Sequence, residues 1–165
     1  MGDTPALRDK PGRQVMATGL IACQVAAADQ VIQFIAQRHV ALLDEHWVTP
    51  WLAVLWQTAN PARPLSGTLY ASWVAVNLVV FIGMLAVVRR RGPLFTAVQV
   101  IAFGALLGGT ATHFIDLLRW GQVVQTLHLV VPFAGLDVRT GPGELGQWAG
   151  LCGLLVHVLL RRRTG

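Results

Sequence analysis

Four long apolar stretches dominate the pattern of hydrophobic and polar positions along the chain. Asp29 interrupts the first of them, and Gln147 and His157 interrupt the last. Each stretch approaches the roughly 20 consecutive apolar residues that a helix needs to cross the hydrocarbon core of a bilayer. We therefore expect an all-α integral membrane protein, a bundle of four transmembrane helices. The predicted spans are residues 15–36, 68–88, 93–115 and 145–160.

The segments between these stretches predict a small structure on the outer side of the membrane. In residues 37–67, three tryptophans at spacings of four and five (Trp47, Trp51 and Trp56) are typical of a segment that lies in the membrane interface. Residues 119–143 alternate weakly between apolar and polar positions and end in turn-forming residues, as a β-hairpin does. We expect an interfacial helix between spans one and two, together with a small extracytoplasmic cradle of β-structure and loops.

The composition agrees with a membrane protein and excludes an ordinary soluble enzyme. Of the 165 residues, 54% are hydrophobic and only 13% are charged. A soluble domain carries about 25% charged residues, so this chain has roughly half the charge that a soluble surface needs. Residues 1–14 are polar and are expected to form a cytoplasmic tail, which leaves residues 15–165 as one membrane domain.

The basic residues indicate orientation. The chain has 13 Lys and Arg against 8 Asp and Glu, a net charge of +5. Most of the basic residues flank the predicted spans on one side of the membrane, which by the positive-inside rule is the cytoplasmic side of a bacterial inner membrane. Both termini are then cytoplasmic, and no nucleic-acid partner is expected. These residues are Arg8, Lys10, Arg13, Arg89, Arg90, Arg91, Arg161, Arg162 and Arg163.

Three acidic residues are candidates for chemistry because ionisable groups in a membrane are costly. Asp29 lies inside the first span, Asp116 closes the third, and Glu144 opens the fourth. The last two face each other across one outer loop. They would share a proton, bind a cation or anchor a loop, or else simply cap their helices at the water boundary.

Two histidines in the spans raise the alternative of a haem- or chlorophyll-ligating subunit. His113 and His157 lie at opposite ends of spans three and four, whereas a bis-histidine haem needs ligands at matching depth. The other interpretation is a histidine that hydrogen-bonds to a neighbouring helix. The cysteines, Cys23 and Cys152, show no metal-binding spacing, and no cofactor or metal is expected.

The third span and the residues after it resemble the lipoprotein signal peptidases (signal peptidase II), four-span aspartic peptidases of the bacterial inner membrane. Residues 108–116 read GGTATHFID, and residues 121–125 read GQVVQ. The corresponding family segments are Gly-Gly-Ala-Leu-Gly-Asn-x-x-Asp-Arg and Gly-x-Val-Val-Asp. The resemblance covers roughly residues 15–160 and implies the four-span fold with an outer-face site.

Further positions follow the family pattern in register. Asp29 matches the acidic residue of the family's first span, and Asn60 matches the Asn of its Asn-x-Gly-Ala-Ala-Phe loop. Glu144 falls at the Asp of the Phe-Asn-x-Ala-Asp motif. The resemblance therefore implies a substrate-binding set of Asp29, Asn60, His113, Asp116 and Glu144.

The departures from the family are concentrated at its catalytic positions. The two aspartates of the family's dyad correspond here to Gln125 and Glu144. The family's Asn and Arg around Asp116 are His113 and Leu117, and the Asn before the second Asp is Gly141. An aspartic peptidase needs two carboxyl groups that share one proton, and Gln125 cannot take part in such an exchange.

These substitutions leave three hypotheses. The first is a catalytically inactive protein with this fold that binds membrane lipid or a lipidated protein, or that serves as an accessory subunit of a membrane complex. The second is an active but divergent aspartic lipoprotein signal peptidase. The third is the cofactor-ligating subunit described above.

Overall fold

Four long helices account for most of the chain in the computed structural model, which describes residues 12–40, 44–58 and 67–163. They are α1 (Gly12–His39), α2 (Gly67–Arg91), α3 (Ala97–Trp120) and α4 (Pro142–Arg163). All four are long and apolar enough to cross a membrane. The predicted four-span bundle is thus confirmed, with each helix extending a few residues beyond its predicted apolar core.

The centre of the bundle is α3. It packs against α1, α2 and α4, and it is by far the most buried of the four helices. Its glycines allow α1 to come close: a Cβ on Gly108 would lie 2.6 Å from the carbonyl oxygen of Ala22, and one on Gly104 would lie 2.7 Å from Ile21. The small-residue spacing in the third span therefore marks helix packing, as such spacing commonly does in membranes.

The segments that connect α1 to α2 and α3 to α4 together form a four-stranded antiparallel sheet with the spatial order β1-β2-β3-β4. Its strands are β1 (Glu45–Thr49), β2 (Leu52–Thr58), β3 (Val124–Val131) and β4 (Leu136–Thr140). The predicted hairpin in residues 119–143 is β3 with β4, joined by a short 3₁₀ turn at Pro132–Ala134. This sheet is the predicted cradle.

The interfacial helix expected after the first span is wrong for the described residues, because residues 45–58 form β1 and β2. Pro50 lies in the turn between these strands, and a proline in a helix interior costs about 3 kcal/mol. In β2 the side chains of Ala53 and Leu55 are buried, which is the alternation of a strand. Besides β1, β2 pairs with β3, about 70 residues later, and such distant pairing leaves no local signature.

A left-handed turn carries the chain from α3 into the sheet. Gly121 follows the last residue of α3 with φ at +71°, a conformation that glycine adopts without steric cost, and its N–H donates to the carbonyl of Leu117. The turn brings the start of β3 back beside the last turns of α3. Val124 at the start of β3 thereby comes within hydrogen-bond distance of Asp116 in α3.

Candidate functional site at the sheet end of the bundle

Two acidic side chains from different helices meet on one amide group. The Nε2 of Gln33 donates to Oδ2 of Asp29 at 2.7 Å and to Oδ1 of Asp116 at 2.8 Å. The two carboxyl oxygens therefore lie no farther apart than the sum of these distances. Asp29 is 2% exposed and Asp116 is 1% exposed. Because buried carboxyl groups need hydrogen-bond partners, Gln33 couples α1 to α3.

The remaining oxygens of these carboxyl groups accept hydrogen bonds from backbone N–H groups. Val124 N, at the start of β3, donates to Asp116 Oδ2 at 3.0 Å. Gly143 N, in the first turn of α4, donates to Asp29 Oδ1 at 2.9 Å. A helix start leaves its first N–H groups without partners inside the helix, so Asp29 caps α4 from a neighbouring helix. Asp29 and Asp116 thus hold both the sheet and α4 in place.

A second glutamine extends this cluster toward the surface. Gln30 Nε2 lies 3.4 Å from Asp29 Oδ2 and 3.5 Å from Asp116 Oδ1, and its Oε1 accepts from Arg119 at 3.0 Å. Leu117, which follows Asp116, is buried, and its carbonyl accepts from the Tyr70 hydroxyl at 3.0 Å. Amide and backbone groups therefore satisfy both carboxyl groups, and the nearest arginine acts through Gln30.

Glu144 occupies the start of α4. Its Oε2 accepts from the N–H of Gly141 at 3.2 Å, and the Gly141 carbonyl accepts from Leu145 N at 3.0 Å. This arrangement is that of a helix-capping glutamate in the third helical position. Its other oxygen lies 3.8 Å from His113 Nε2. Both side chains are partly exposed, His113 at 18% and Glu144 at 25%.

His113 has a second neighbour. The side chain of Gln147 lies with Nε2 3.4 Å from His113 Nδ1 and 3.2 Å from Thr110 Oγ1. Gln147 belongs to α4, whereas His113 and Thr110 belong to α3. His113 thus joins these two helices beside Glu144, as expected for a histidine that bonds to a neighbouring helix.

Gln125 takes part in a separate amide network on the sheet. Its Oε1 accepts from Gln57 Nε2 at 3.0 Å, and its own Nε2 donates to the carbonyl of Arg139 at 3.2 Å. The Arg139 side chain in turn lies 3.4 Å from Gln57 Oε1 and donates to Glu45 at 3.0 Å. The amide at position 125 therefore both donates and accepts hydrogen bonds, and a carboxylate cannot do both.

The structure brings together most of the residues singled out from the sequence. Asp29 meets Asp116, and His113 meets Glu144, at the sheet end of the bundle. Asn60 lies outside the described residues. The sequence analysis did not identify Gln33, although its position four residues after Asp29 places both side chains on one face of α1.

The proposed role of histidines as cofactor ligands remains a prediction. His113 and His157 do not come together, because His157 lies near the far end of α4, in a cleft with Arg91 and Phe95. In the ranges 12–40, 44–58 and 67–163, the structure has no group of three or more His, Cys, Asp or Glu side chains that would hold a metal ion.

A third histidine, His128 in β3, bridges the outer strands. Its Nε2 lies 2.7 Å from Asp137 in β4 and its Nδ1 lies 3.0 Å from Glu45 in β1. Burial lowers the pKa of His128, but the two carboxylates outweigh burial and leave this pKa above its ordinary value of 6.5. The Asp137 side chain is largely exposed, so water screens part of its effect. The two carboxylates thus favour the charged form of His128 where it bridges the outer strands.

Comparisons with known proteins identify relatives of this chain. The model of the signal peptidase (SPase) II family matches residues 21–139, a segment that contains Asp29, Asp116 and Gln125 and ends before Glu144. A lipoprotein signal peptidase of Synechococcus sp. (strain RCC307) is 36% identical over 69 residues, which are 42% of this chain and 44% of that relative. The aligned region thus spans less than half of the relative's length.

Solved structures match over most of the chain. Two structures of a bacterial membrane enzyme determined by the in meso method each have a TM-score of 0.73 at 20% identity. Each match covers 86% of this chain, and the matches cover 87% and 92% of the solved chains. At this identity the likeness establishes the fold.

Replacing Gln33 with leucine will destabilise the protein. The Gln33→Leu variant leaves two buried carboxyl oxygens with only the long contacts to Gln30 Nε2, and an unsatisfied buried polar group costs about 1–3 kcal/mol. We expect a lower melting temperature in detergent, measured by intrinsic fluorescence. The control is Gln37→Leu, an exposed position one turn later on α1, which should melt with the wild type. Equal melting temperatures for the two variants would contradict the bridging role of Gln33.

Stability will fall as the pH rises through the titration of His128. Its folded-state pKa lies above the unfolded value of 6.5, so the stabilisation is complete below about pH 6.5 and is lost as the pH passes the folded value. We expect His128→Gln to flatten this part of the melting-temperature profile. The matched control, His46→Gln, changes an exposed histidine of β1 and should keep the wild-type slope. A profile that His128→Gln leaves unchanged would refute the assignment.

Proposed function

This chain belongs to the signal peptidase II family, and from that premise we propose that it binds a membrane lipid or a lipidated protein without cutting it. In this role it acts alone or as an accessory subunit of a membrane complex. Its place is the bacterial inner membrane, with both termini in the cytoplasm. The Arg89–Arg91 run at the end of α2 supports this orientation by the positive-inside rule.

The observation that carries the proposal is the environment of Gln125. Aspartic peptidases activate water with one carboxylate while a second carboxyl group donates a proton to the substrate carbonyl. Gln125 stands at one of the two positions that the family resemblance assigns to this dyad. Its amide is fixed by Gln57 and by the backbone of Arg139, and an amide neither accepts nor returns a proton at neutral pH. Losing one member of a catalytic unit removes most of the rate.

The position of Glu144 supports the same conclusion. One of its oxygens caps the start of α4 at Gly141, and the other faces His113. A carboxylate in the first helical turn is favoured by the helix dipole, so Glu144 has a structural role that does not depend on catalysis. Its side chain and that of His113 are partly exposed, and the buried Nε2 of His113 has no hydrogen-bond partner among the described residues, so we assign ligand contact to these two side chains.

Asp29 and Asp116 have a different role in this proposal. Both carboxyl groups are almost fully buried and accept hydrogen bonds from Gln33 and from the backbone. They shape the proposed ligand groove, the space beside His113 and Glu144, by positioning β3 and the start of α4, and they reach a ligand only through those elements. Asn60, in the segment between β2 and α2, completes the proposed binding set.

An active, divergent peptidase is the second candidate function. The observation that favours it is the proximity of Glu144 to His113, since a carboxylate beside an imidazole is a pair that can move a proton. In this version Glu144 is the catalytic carboxylate and His113 replaces the missing partner. The two candidates make opposite predictions for a cleavage assay.

The purified full chain, offered a diacylglyceryl-modified prolipoprotein peptide in lipid nanodiscs, will bind the peptide and leave it intact. The missing dyad carboxylate is the physical reason. Binding is measured by fluorescence anisotropy of a labelled peptide and cleavage by mass spectrometry, with the unlipidated peptide as the control. Cleavage by the wild type that Glu144→Ala abolishes would overturn the proposal in favour of the active peptidase. Equal binding of both peptides would overturn the lipid-binding role.

Restoring both aspartates should restore measurable cleavage. The double variant Gln125→Asp, Glu144→Asp supplies the two carboxyl groups that the family mechanism requires. We expect slow cleavage of the same lipidated peptide, well below the rate of an intact family member, because His113, Leu117 and Gly141 also depart from the family pattern. The matched control, Gln125→Asn with Glu144→Asp, has the same side-chain lengths and one carboxyl group fewer. Equal rates for the double variant and its control would contradict a dyad at these positions.

A further inference from the structure

A second site candidate lies at the opposite end of α3 from the acidic cluster. There α2 and α4 flank α3 and have little direct contact with each other in the described part of the chain, which leaves a cleft of about 740 Å³. Between Thr96 at one end of α3 and Asp116 near the other are 20 residues, or about 30 Å of helix. This cleft is therefore separate from the groove of the proposed function.

The lining of the cleft includes donor groups that have no partner in the described part of the chain. Arg91 at the end of α2 and His157 in α4 both line it, and neither makes an ion pair or a side-chain hydrogen bond with any residue that the structure describes. Gln99 also lines it. Its Oε1 accepts from Thr96 N at 2.9 Å in the helix cap, so its Nε2 remains available as a donor. Donor side chains of α2, α3 and α4 thus line the same cleft.

Much of the remaining lining of the cleft is apolar. Phe95 and Phe103 stack with ring centroids 4.7 Å apart, and Val87 and Leu160 also line the cleft. A ligand that fills the cleft therefore needs a group that accepts hydrogen bonds from Arg91 and the other donors, together with hydrocarbon that packs on the apolar residues. A small free anion would leave the apolar part of the cleft empty.

We propose that this cleft binds one anionic phospholipid. The lipid phosphate accepts hydrogen bonds from Arg91, Gln99 and His157, and an acyl chain lies along Phe95, Phe103 and Val87. A guanidinium matches the geometry of a phosphate with two parallel hydrogen bonds. The cleft lies at the Arg-rich ends of the helices, where the polar headgroups of the bilayer lie, and basic pockets between membrane helices at this depth are typical sites for anionic headgroups.

Neighbouring arginines supply a matched control. Arg89 and Arg90 line a different depression, beside Ile82, Leu85 and Ala86. They carry the same charge at almost the same depth in the membrane as Arg91. A general attraction of anionic lipid to the basic helix end would depend on all three arginines alike, whereas a bound lipid in the cleft depends on Arg91.

The test measures lipid retained by the full chain. Wild-type and variant proteins are extracted in mild detergent, mixed with phosphatidylglycerol or phosphatidylcholine, and analysed by native mass spectrometry over a range of lipid concentrations. We expect phosphatidylglycerol to bind in preference to phosphatidylcholine with a stoichiometry of one. Arg91→Gln should weaken phosphatidylglycerol binding by about tenfold, the effect of losing a charge-assisted hydrogen bond, and Arg90→Gln by about twofold or less.

A second variant tests the apolar part of the cleft without changing charge. Val87→Trp, at a largely exposed position, should fill the cleft and abolish the bound lipid while leaving the melting temperature near that of the wild type. Equal losses with Arg91→Gln and Arg90→Gln, or full retention in Val87→Trp, would overturn the proposal. Displacement of the lipid by millimolar inorganic phosphate would also overturn it, because the site would then recognise a free anion.

Discussion

The buried contact of Asp29 and Asp116 with Gln33 is the constraint on which the sheet end of this protein depends. Carboxyl groups inside a helix bundle are stable only when their hydrogen-bonding capacity is satisfied. Here the Gln33 amide joins α1 to α3. The remaining carboxyl oxygens of the two aspartates accept from the N–H of Val124 and the N–H of Gly143. The sheet and α4 thus supply the remaining hydrogen-bond donors to a polar cluster formed by α1 and α3. Loss of either carboxyl group would leave the N–H of Val124 or of Gly143 without its acceptor.

This arrangement separates the groups that hold the fold from the two positions that the family resemblance assigns to the dyad. The groups that hold the groove are Asp29 and Asp116, which resemble the family pattern, whereas the departures at Gln125 and Glu144 lie in positions with their own local partners. Gln125 exchanges hydrogen bonds within the sheet, and Glu144 caps a helix. Gln125 and Glu144 therefore each have local hydrogen-bond partners that do not depend on a catalytic role. An amide at position 125 is better suited to this network than a carboxylate, because it must donate as well as accept.

The sequence predicted the elements whose signals are local. Twenty-residue apolar runs specify spans, and the turn-rich end of residues 119–143 specifies a hairpin, so the four helices and the β3–β4 pair were predictable. The β1–β2 strands were not, because tryptophans at spacings of four and five imitate a helix and the pairing of β2 with β3 is distant. Gln33 was also missed. Its partner Asp116 lies 83 positions away, and a glutamine in an apolar helix does not reveal which carboxyl group it will meet.

The polar groups at the two ends of α3 differ in whether the protein itself supplies their hydrogen-bond partners. At the sheet end, acidic groups are buried and every oxygen described for Asp29 and Asp116 accepts a hydrogen bond from the protein itself. At the other end, Arg91 and His157 line a cleft without a hydrogen-bond or ion-pair partner among the described residues, and Gln99 lines it with an Nε2 that its helix cap does not use. A satisfied cluster needs no ligand and rigidifies the fold, whereas converging donors left without acceptors in an apolar setting gain most from a ligand that supplies them. The closed end therefore acts as scaffold. The open end, by the same reasoning, is where the bilayer itself supplies the missing acceptor.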